Sequence, residues 1–192
     1  MFRVSEILSP FLLIGNRYIN IYTGANIEKE VMETARLRGQ AVHLACRYIL
    51  EGRLDKNSLD PNIMGYVEQF RKALPEMGIK KVLSLEKNYI HPLFQYSFTP
   101  DLLYENQEGE VILADIKTTE DNMFILEQLL AYQRGLEAVL KLKIDKLFEL
   151  ILLKEKYIFR EIGKTEGEKE GAWQFFRAKL YEKQYLARRK VK

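Results

Sequence analysis

Two aspartates and a lysine lie close together in the stretch formed by residues 98–119. Asp101 follows a proline, Asp115 lies within the apolar run 111–116, and Lys117 comes two residues after it. Residues two apart on a strand point to the same face, so Asp115 and Lys117 would share one side of a sheet. Two carboxylates beside an ammonium group could bind a divalent cation and stabilise the negative charge that develops during phosphodiester hydrolysis.

The segment between the two aspartates predicts a β-hairpin, because residues 106–109 are typical of a turn and apolar runs flank them. A turn centred near residue 108 pairs Tyr104 with Ile112 and Asp101 with Asp115. Opposed side chains have Cβ atoms about 4.5–5.5 Å apart, so the two carboxylates would repel each other without a cation between them. Oxygen ligands of this kind suit Mg²⁺. The alternative is an ordinary strand end, where aspartate and lysine are common.

A histidine on the first long predicted helix could join this group. His43 lies in the middle of a helix predicted over residues 26–51, and Gly39 leaves space one turn before it. Arg36 and Arg47 lie on the same stripe of that helix, where they could contact a phosphate backbone. Histidine is a common metal ligand, but a packed or exposed imidazole is the competing interpretation.

Three further polar residues lie within apolar surroundings. Glu86 falls in a strand predicted over residues 81–90, where a solvated carboxylate is the simpler interpretation. Gln128 and Tyr132 are four residues apart on a helix predicted over residues 122–141, so they share its mostly buried face. A buried amide needs hydrogen-bond partners, which either a site or a backbone group could supply.

The C-terminal segment is basic and aromatic. A final helix predicted over residues 172–187 follows a polar connector, residues 163–171, and ends near Arg188 and Arg189. We interpret its aromatic residues as core contacts and its basic face as solvated. The basic end could also follow a phosphate backbone.

The composition limits the class of protein. The 192 residues are 47% hydrophobic and 30% charged with a net charge of +3, which fits one globular domain with its own core. Cys46 is the only cysteine, so an internal disulfide and a four-cysteine iron–sulfur or zinc site are excluded. The apolar patch 11–14 is too short to span a membrane, and the expected location is the cytoplasm.

The predicted elements describe a mixed α/β domain with a central sheet. A second helix is predicted over residues 63–74, followed by strands over 102–105 and 111–116 and a hairpin over 147–153 and 157–162. We expect a single domain over residues 1–192. Its parts would be a helical N-terminal part (1–78), a sheet core (79–162) and a basic C-terminal helix and tail (169–192).

The order of these motifs resembles the RecB-like branch of the PD-(D/E)XK nucleases, especially its phage and mitochondrial exonucleases. The resemblance covers most of the chain and is carried by Gly39-x-x-x-His43, Glu86, Pro100-Asp101, Asp115-Ile-Lys117-Thr118 and Gln128-x-x-x-Tyr132-Gln133. It implies a restriction-endonuclease-like core, in which a central mixed sheet is flanked by helices. Relatives that carry an iron–sulfur cluster use four cysteines, and this chain has one.

The resemblance also implies roles for these residues. His43, Asp101, Asp115 and the backbone carbonyl of Ile116 would bind Mg²⁺ or Mn²⁺, and Lys117 would orient water or stabilise the transition state. The remaining implied residues are an accessory acid, Glu86, and two residues that shape the site and contact DNA, Gln128 and Tyr132.

The function implied is a metal-dependent DNA exonuclease that acts on ends or single strands in replication, recombination or repair. Three alternatives stay open: a catalytically inert DNA-binding or assembly module, an endonuclease, and a nuclease for RNA. The resemblance leaves the oligomeric state open, from a monomer to a homo-oligomer.

Overall fold

The computed structural model describes residues 1–120 and 122–189. The first half of the chain has short strands around two long helices: β1 (Phe2–Arg3), α1 (Val4–Ile7), β2 (Phe11–Ile14), β3 (Arg17–Asn20), β4 (Asn26–Glu28), α2 (Lys29–Leu50), a 3₁₀ turn (Lys56–Ser58) and α3 (Pro61–Met77). The second half carries the sheet and two more helices: β5 (Ile79–Leu85), β6 (Tyr89–Ile90), β7 (Tyr96–Phe98), β8 (Leu102–Asn106), β9 (Val111–Lys117), α4 (Ile125–Leu140), β10 (Lys146–Leu152), β11 (Tyr157–Ile162) and α5 (Glu166–Arg189).

The central sheet has five strands in the order β11-β10-β9-β8-β5. Strand β9 pairs antiparallel with β8 and parallel with β10, so the sheet is mixed. Two smaller three-stranded sheets, β1-β7-β6 and β2-β3-β4, accompany it. The predicted architecture, a central mixed sheet flanked by helices, is confirmed.

Two hydrophobic clusters cover the two faces of the central sheet. Alternate residues of one strand contribute to different clusters, as period-2 alternation requires: Leu103 packs with α4 and α5, whereas Leu102 packs with α2 and α3. The first cluster has Leu136 and Phe176 at its centre, and both are fully buried. The strands that carry the two aspartates are therefore held between two layers of helices.

The N-terminal part differs from the prediction, since it is not only helical. Residues 11–28 form the three-stranded sheet β2-β3-β4, and Asn26 lies in β4 instead of capping a helix. Helix α2 begins at Lys29, because the backbone before it is paired with β3 as far as Glu28.

Several other helices and strands also begin or end at residues that differ from the predicted ones. Helix α3 continues through Pro75 to Met77 and stops at Gly78, whose φ of 57° is the left-handed conformation that glycine favours. The strand predicted over 81–90 is two strands, β5 and β6. Helix α4 begins at Ile125.

The segment predicted as a connector, residues 163–171, belongs largely to α5. The Thr165 hydroxyl accepts the backbone N–H of Glu168, and the Glu168 carboxylate accepts the backbone N–H of Thr165. This reciprocal capping box starts the helix at Glu166 despite two glycines in its first turns. Residues 190–192 of the predicted basic tail lie outside the described residues.

No helix within residues 1–120 and 122–189 is both long and apolar enough to cross a membrane.

Candidate active site

The predicted hairpin register is confirmed. Tyr104 pairs with Ile112 and Leu102 with Ala114, which places Asp101 at the end of the ladder, alongside the Asp115 position. The Asp101 side chain turns towards β9, where its Oδ2 accepts the backbone N–H of Ile116 at 2.7 Å. The hairpin therefore brings both aspartates to one end of the central sheet.

Lys117 and Gln128 hold the second aspartate. Asp115 is 1% exposed, and its Oδ2 lies 2.5 Å from Lys117 Nζ. Its other oxygen, Oδ1, accepts a hydrogen bond from Gln128 Nε2 at 2.7 Å. Gln128 Oε1 in turn accepts a hydrogen bond from Lys117 Nζ at 3.3 Å. The lysine, the amide and the carboxylate thus form a closed set of contacts.

Helix α4 positions this amide through the predicted i, i+4 pair. Tyr132 is buried, and its hydroxyl oxygen accepts a hydrogen bond from Gln128 Nε2 at 3.0 Å. The Tyr132 ring stacks on Phe98 with centroids 5.8 Å apart. Packing in the core therefore fixes the orientation of Gln128, and the two residues meet as predicted.

Helix α2 brings His43 to the first aspartate. His43 Nδ1 lies 3.3 Å from Asp101 Oδ1, so the carboxylate has a partner on each oxygen. Gly39 lies one turn earlier, but a methyl group there would lie 3.7 Å from Thr118 Oγ1, an ordinary contact distance. The space predicted beside the imidazole therefore does not require glycine.

Burial and charge set the protonation of the group. Burial raises the pKa of Asp115 to about 6, and the charge of Asp101 adds to this, while Lys117 opposes it. Burial alone would lower the pKa of His43, but Asp101 and then Asp115 raise it to about 9. Asp101 has a pKa below its usual value, because the charge of His43 and its hydrogen bond outweigh burial. Burial opposes the charged form of Lys117 as well, but the two aspartates raise its pKa.

The two carboxylates are therefore not an unpartnered repulsive pair. Each has its own cation within the chain, His43 for Asp101 and Lys117 for Asp115. The sequence predicted that the two carboxylates would repel each other without a metal, and this prediction has to be corrected because each carboxylate has its own cationic partner. Part of the repulsion remains, since the charge of Asp101 helps to raise the pKa of Asp115.

Glu86 lies beside this group but not within a strand. Strand β5 ends at Leu85, and Glu86 follows with a φ of 44°. Its backbone N–H donates to the Asp101 carbonyl at 3.1 Å, and its carboxylate lies 3.6 Å from Arg47 Nη1. Glu86 also lines a cavity of about 530 Å³ together with His43 and Asp101.

Two of the four arginines predicted to bind DNA lie near this cavity. Arg36 lines it and pairs with Glu33 at 2.9 Å, whereas Arg47 pairs with Glu51 at 2.9 Å and reaches Glu86. A phosphate at this position would compete with these acids for the guanidinium groups.

The other two arginines lie in the last turn of α5. Arg188 and Arg189 are exposed, and the Arg189 guanidinium lies over the Tyr185 ring at 5.3 Å. The nearby Lys183 and Gln184 contact backbone oxygens of Glu6 and Phe94. Among the described residues, no contact joins Arg188 or Arg189 to the group around Asp101 and Asp115, so their DNA-binding role stays a prediction.

Sequence reasoning missed Glu149 and Asn122. Glu149 pairs in register with Asp115 across β10 and β9, is fully buried, and adds to the negative charge around Lys117. Its carboxylate accepts hydrogen bonds from Asn122 Nδ2 at 2.7 Å and Arg160 Nε at 2.8 Å. A single acid inside the apolar run 147–153 was the signal that could have identified it.

The donor atoms suit a small divalent cation in their chemistry but are not gathered around one point. Asp115 Oδ2 is buried and accepts no hydrogen bond, although Lys117 lies beside it. Carboxylate oxygens with one imidazole suit Mg²⁺ or Mn²⁺. Within residues 1–120 and 122–189, however, no three His, Cys, Asp or Glu side chains are gathered closely enough to share a metal. In this structure Lys117 occupies the place beside Asp115 where a cation would bind. The metal-binding roles therefore stay predictions for all four groups, which are His43, Asp101, Asp115 and the Ile116 carbonyl.

Neither a protein-family model nor a curated protein matches this sequence. Among solved structures, the chain is similar to a protein from Eubacterium rectale that is described provisionally as an exonuclease. The TM-score is 0.47 with 11% identity, and the match covers 72% of this chain and 63% of that protein, which is less than two thirds of its length. It is also similar to an alkaline exonuclease from Laribacter hongkongensis, with a TM-score of 0.37, 16% identity, and coverage of 79% of this chain and 84% of that one.

Proposed function

We propose that this protein is a metal-dependent nuclease that hydrolyses phosphodiester bonds of DNA, removing nucleotides from an end or from a single strand. The observation that carries the proposal is the meeting of Asp101, Asp115 and Lys117 at one end of the sheet, with His43 and Gln128 reaching them from helices on its two faces. The resemblance of the motifs supports the same reaction.

The carboxylates would hold the cation and bind no phosphate directly, because two negative charges repel a phosphodiester. A bound Mg²⁺ or Mn²⁺ would polarise the phosphoryl oxygen and lower the pKa of a water molecule. His43 and Asp101 would supply one side of that site, and Asp115 the other.

Lys117 would have two successive partners. Its ammonium lies on Asp115 in the protein alone, and it would turn towards the substrate if Asp115 held Mg²⁺ or Mn²⁺ at the same oxygen. The side chain is 23% exposed, so part of it is open to the solvent from which a phosphate would approach. There it would stabilise the charge that builds on the phosphate oxygens in the transition state.

Gln128 would keep these groups in position throughout the reaction. Its amide contacts Asp115 and Lys117, and Tyr132 fixes it from behind. Glu86 lies one side chain further out, where it would orient Arg47 or a second hydration shell.

The experiment uses DNA labelled at either end, as single and double strands, together with a closed single-stranded circle, each with Mg²⁺ or Mn²⁺. We expect the linear DNA to be shortened from an end and the circle to stay intact. Asp115→Asn and Lys117→Met should each lower the rate at least about 100-fold, the usual loss when a charge-stabilising group is removed.

Matched controls separate a lost site from a lost fold. Glu155→Gln and Lys143→Met change an exposed acid and an exposed lysine outside the site and should cut like the wild type. If the wild type cuts and Lys117→Met cuts equally well, the site assignment is wrong. A cut circle would indicate an endonuclease, and faster cutting of matched RNA would indicate the RNA alternative. Calorimetry with Mn²⁺ that shows no metal binding dependent on Asp101 would favour the inert module.

A further inference from the structure

A second cavity lies on the Lys117 side of the candidate site. It measures about 280 Å³, and Lys117 and Gln128 form one wall of it. The larger cavity described above lies on the opposite side, against His43 and Asp101. Asp101 lines the larger cavity and Lys117 lines the smaller one, so a strand that crosses the site would enter both.

Most of the other residues that line the cavity are apolar, and two of them are aromatic. Phe11 comes from the N-terminal sheet, and Met123 and Phe124 come from the loop that leads into α4. Phe124 is held in place, because its ring stacks on Phe175 with centroids 5.2 Å apart and lies nearly perpendicular to the Tyr22 ring at 5.3 Å. A ring held in this way at the wall of a cavity needs little reordering when a ligand binds against it.

The polar groups of the cavity fit a flat heterocycle better than a phosphate. Lys117 is the single cation that lines it within the described residues, and it is paired with Asp115. The Asn122 amide nitrogen is already bonded to Glu149 and to the Thr119 carbonyl. Besides Lys117, an anion would find only the hydroxyl groups of Ser5 and Ser9 as donors in the described lining. A nucleobase, by contrast, could stack on Phe124 without a fixed hydrogen-bond pattern.

We propose that this cavity, the Phe124 pocket, binds one nucleobase next to the scissile phosphate; the assignment rests on the proposed nuclease function for its ligand class. The volume suits a single base, and stacking on a phenyl ring tolerates any of the four bases. A base inside the pocket cannot pair with a complementary strand. The DNA is therefore cut where it is unpaired, and a duplex end has to fray before it reacts.

The test moves one abasic residue stepwise through the first positions of a single-stranded oligonucleotide with Mn²⁺. We expect the wild type to be slowed about tenfold at one position, where the stacked base is missing. Phe124→Ala should cut intact DNA about tenfold more slowly and lose this position dependence, while Phe124→Leu keeps the packing on Phe175 and shows the same loss. The control is Phe159→Ala, which removes an aromatic ring on the outer strand β11, where Phe159 stacks on Phe148.

A binding measurement needs no cleavage. An oligonucleotide that carries 2-aminopurine at the sensitive position, or at each end position in turn, is added with Ca²⁺ in place of Mn²⁺. Quenching of its fluorescence by the wild type and by Phe159→Ala, but not by Phe124→Ala, supports the pocket. Equal quenching by the wild type and Phe124→Ala overturns the proposed pocket. The pocket is also overturned if the cutting rates of these two proteins depend in the same way on the position of the abasic residue.

The two proposals fail in different ways. If quenching depends on Phe124 but no DNA is cut, the nuclease function is contradicted and the base pocket is supported. If DNA is cut without any dependence on the abasic position or on Phe124, the pocket is contradicted and the nuclease function is supported. If the wild type neither cuts nor quenches, both are contradicted.

Discussion

Glu149 lies directly beside Asp115 in the parallel pairing of β10 with β9. Its side chain is fully buried, and Arg160 Nη2 lies 2.7 Å from its Oε2. The same carboxylate binds Asn122, so it ties the loop between Lys117 and α4 to the sheet. This loop carries Phe124, and the ion pair of the buried Glu149 with Arg160 therefore supports one wall of the Phe124 pocket.

The first prediction concerns this ion pair. Arg160→Ala should lower the free energy of unfolding by about 3 kcal/mol or more, because it leaves a buried carboxylate without its cation. Glu149→Gln should cost less, since the exposed Arg160 can be hydrated and the amide can still accept from Asn122. Urea denaturation of both variants measures the difference. Equal losses would mean that the charge of Glu149 is compensated elsewhere.

The second prediction concerns the metal. Mn²⁺ should raise the melting temperature of the wild type, since a ligand present at 100 times its Kd stabilises a fold by about 2.7 kcal/mol. Asp101→Asn should reduce that gain, because it removes a negative ligand and the charge that holds His43. Differential scanning fluorimetry with and without EDTA measures both shifts. Glu155→Gln is the control, and a full Mn²⁺ shift in Asp101→Asn would contradict the role of Asp101.

The third prediction concerns the packing of α4. A methyl group at Gly135 would lie 2.3 Å from Phe98 Cζ, inside the ring that also stacks on Tyr132. Gly135→Ala should destabilise the protein by about 1–3 kcal/mol through overpacking. Gly171→Ala is the matched control in α5, where the space is open, and better helix propensity should stabilise it by up to about 1 kcal/mol. Urea titration decides, and equal stabilities would show that β7 moves aside freely.

The fourth prediction concerns His91. Its Nδ1 accepts the backbone N–H groups of Leu93 and Phe94 at 3.1 and 3.2 Å, and burial lowers its pKa. A histidine whose pKa is lowered by folding stabilises the protein above its unfolded pKa of about 6.5, and this contribution decreases as the pH falls towards the folded pKa. His91→Asn keeps a side-chain acceptor for the same turn but does not titrate there.

The stability of the wild type relative to His91→Asn should therefore be constant above about pH 7 and decrease below it. Urea denaturation of both proteins between pH 5 and pH 8, at about every half pH unit, measures how this difference in stability changes with pH. Groups that titrate in both proteins contribute equally and cancel in the difference. A difference that does not change with pH would contradict the role given to His91.

The central sheet could be predicted from the sequence because its signals are local. Alternation and the turn at residues 106–109 determined the register of β8 with β9. The N-terminal sheet was missed because it buries no face that would impose an alternating pattern on the sequence. Its residues Leu12, Leu13 and Ile14 are consecutive apolar residues that are largely exposed. The start of α5 was missed although Thr165 and Glu168 form a recognisable capping box.

The sequence predicted which residues form the candidate site, but it did not predict the contacts between their side chains. Residue types and order identified Asp101, Asp115 and Lys117 as neighbours, and the structure brings His43 and Gln128 to them. Spacing along the chain could not indicate that Lys117 turns back onto Asp115, because that depends on burial and side-chain rotation. The partners of Glu149 could not be predicted for the same reason, since they come from a loop and from β11, although its place in an apolar run could have identified the acid itself.

The hairpin of β8 and β9 also bears on the order in which the candidate site is assembled during folding. Hairpins form in about 1–10 μs, so both aspartates can meet early from sequence-local contacts. Gln128 follows β9 after a short loop, so α4 can dock on the sheet early. His43 arrives only when α2 docks on the opposite face, which requires loop closure over a long stretch of chain. We expect the contact between His43 and Asp101 to be the last part of the candidate site to form and the first to be lost when α2 detaches.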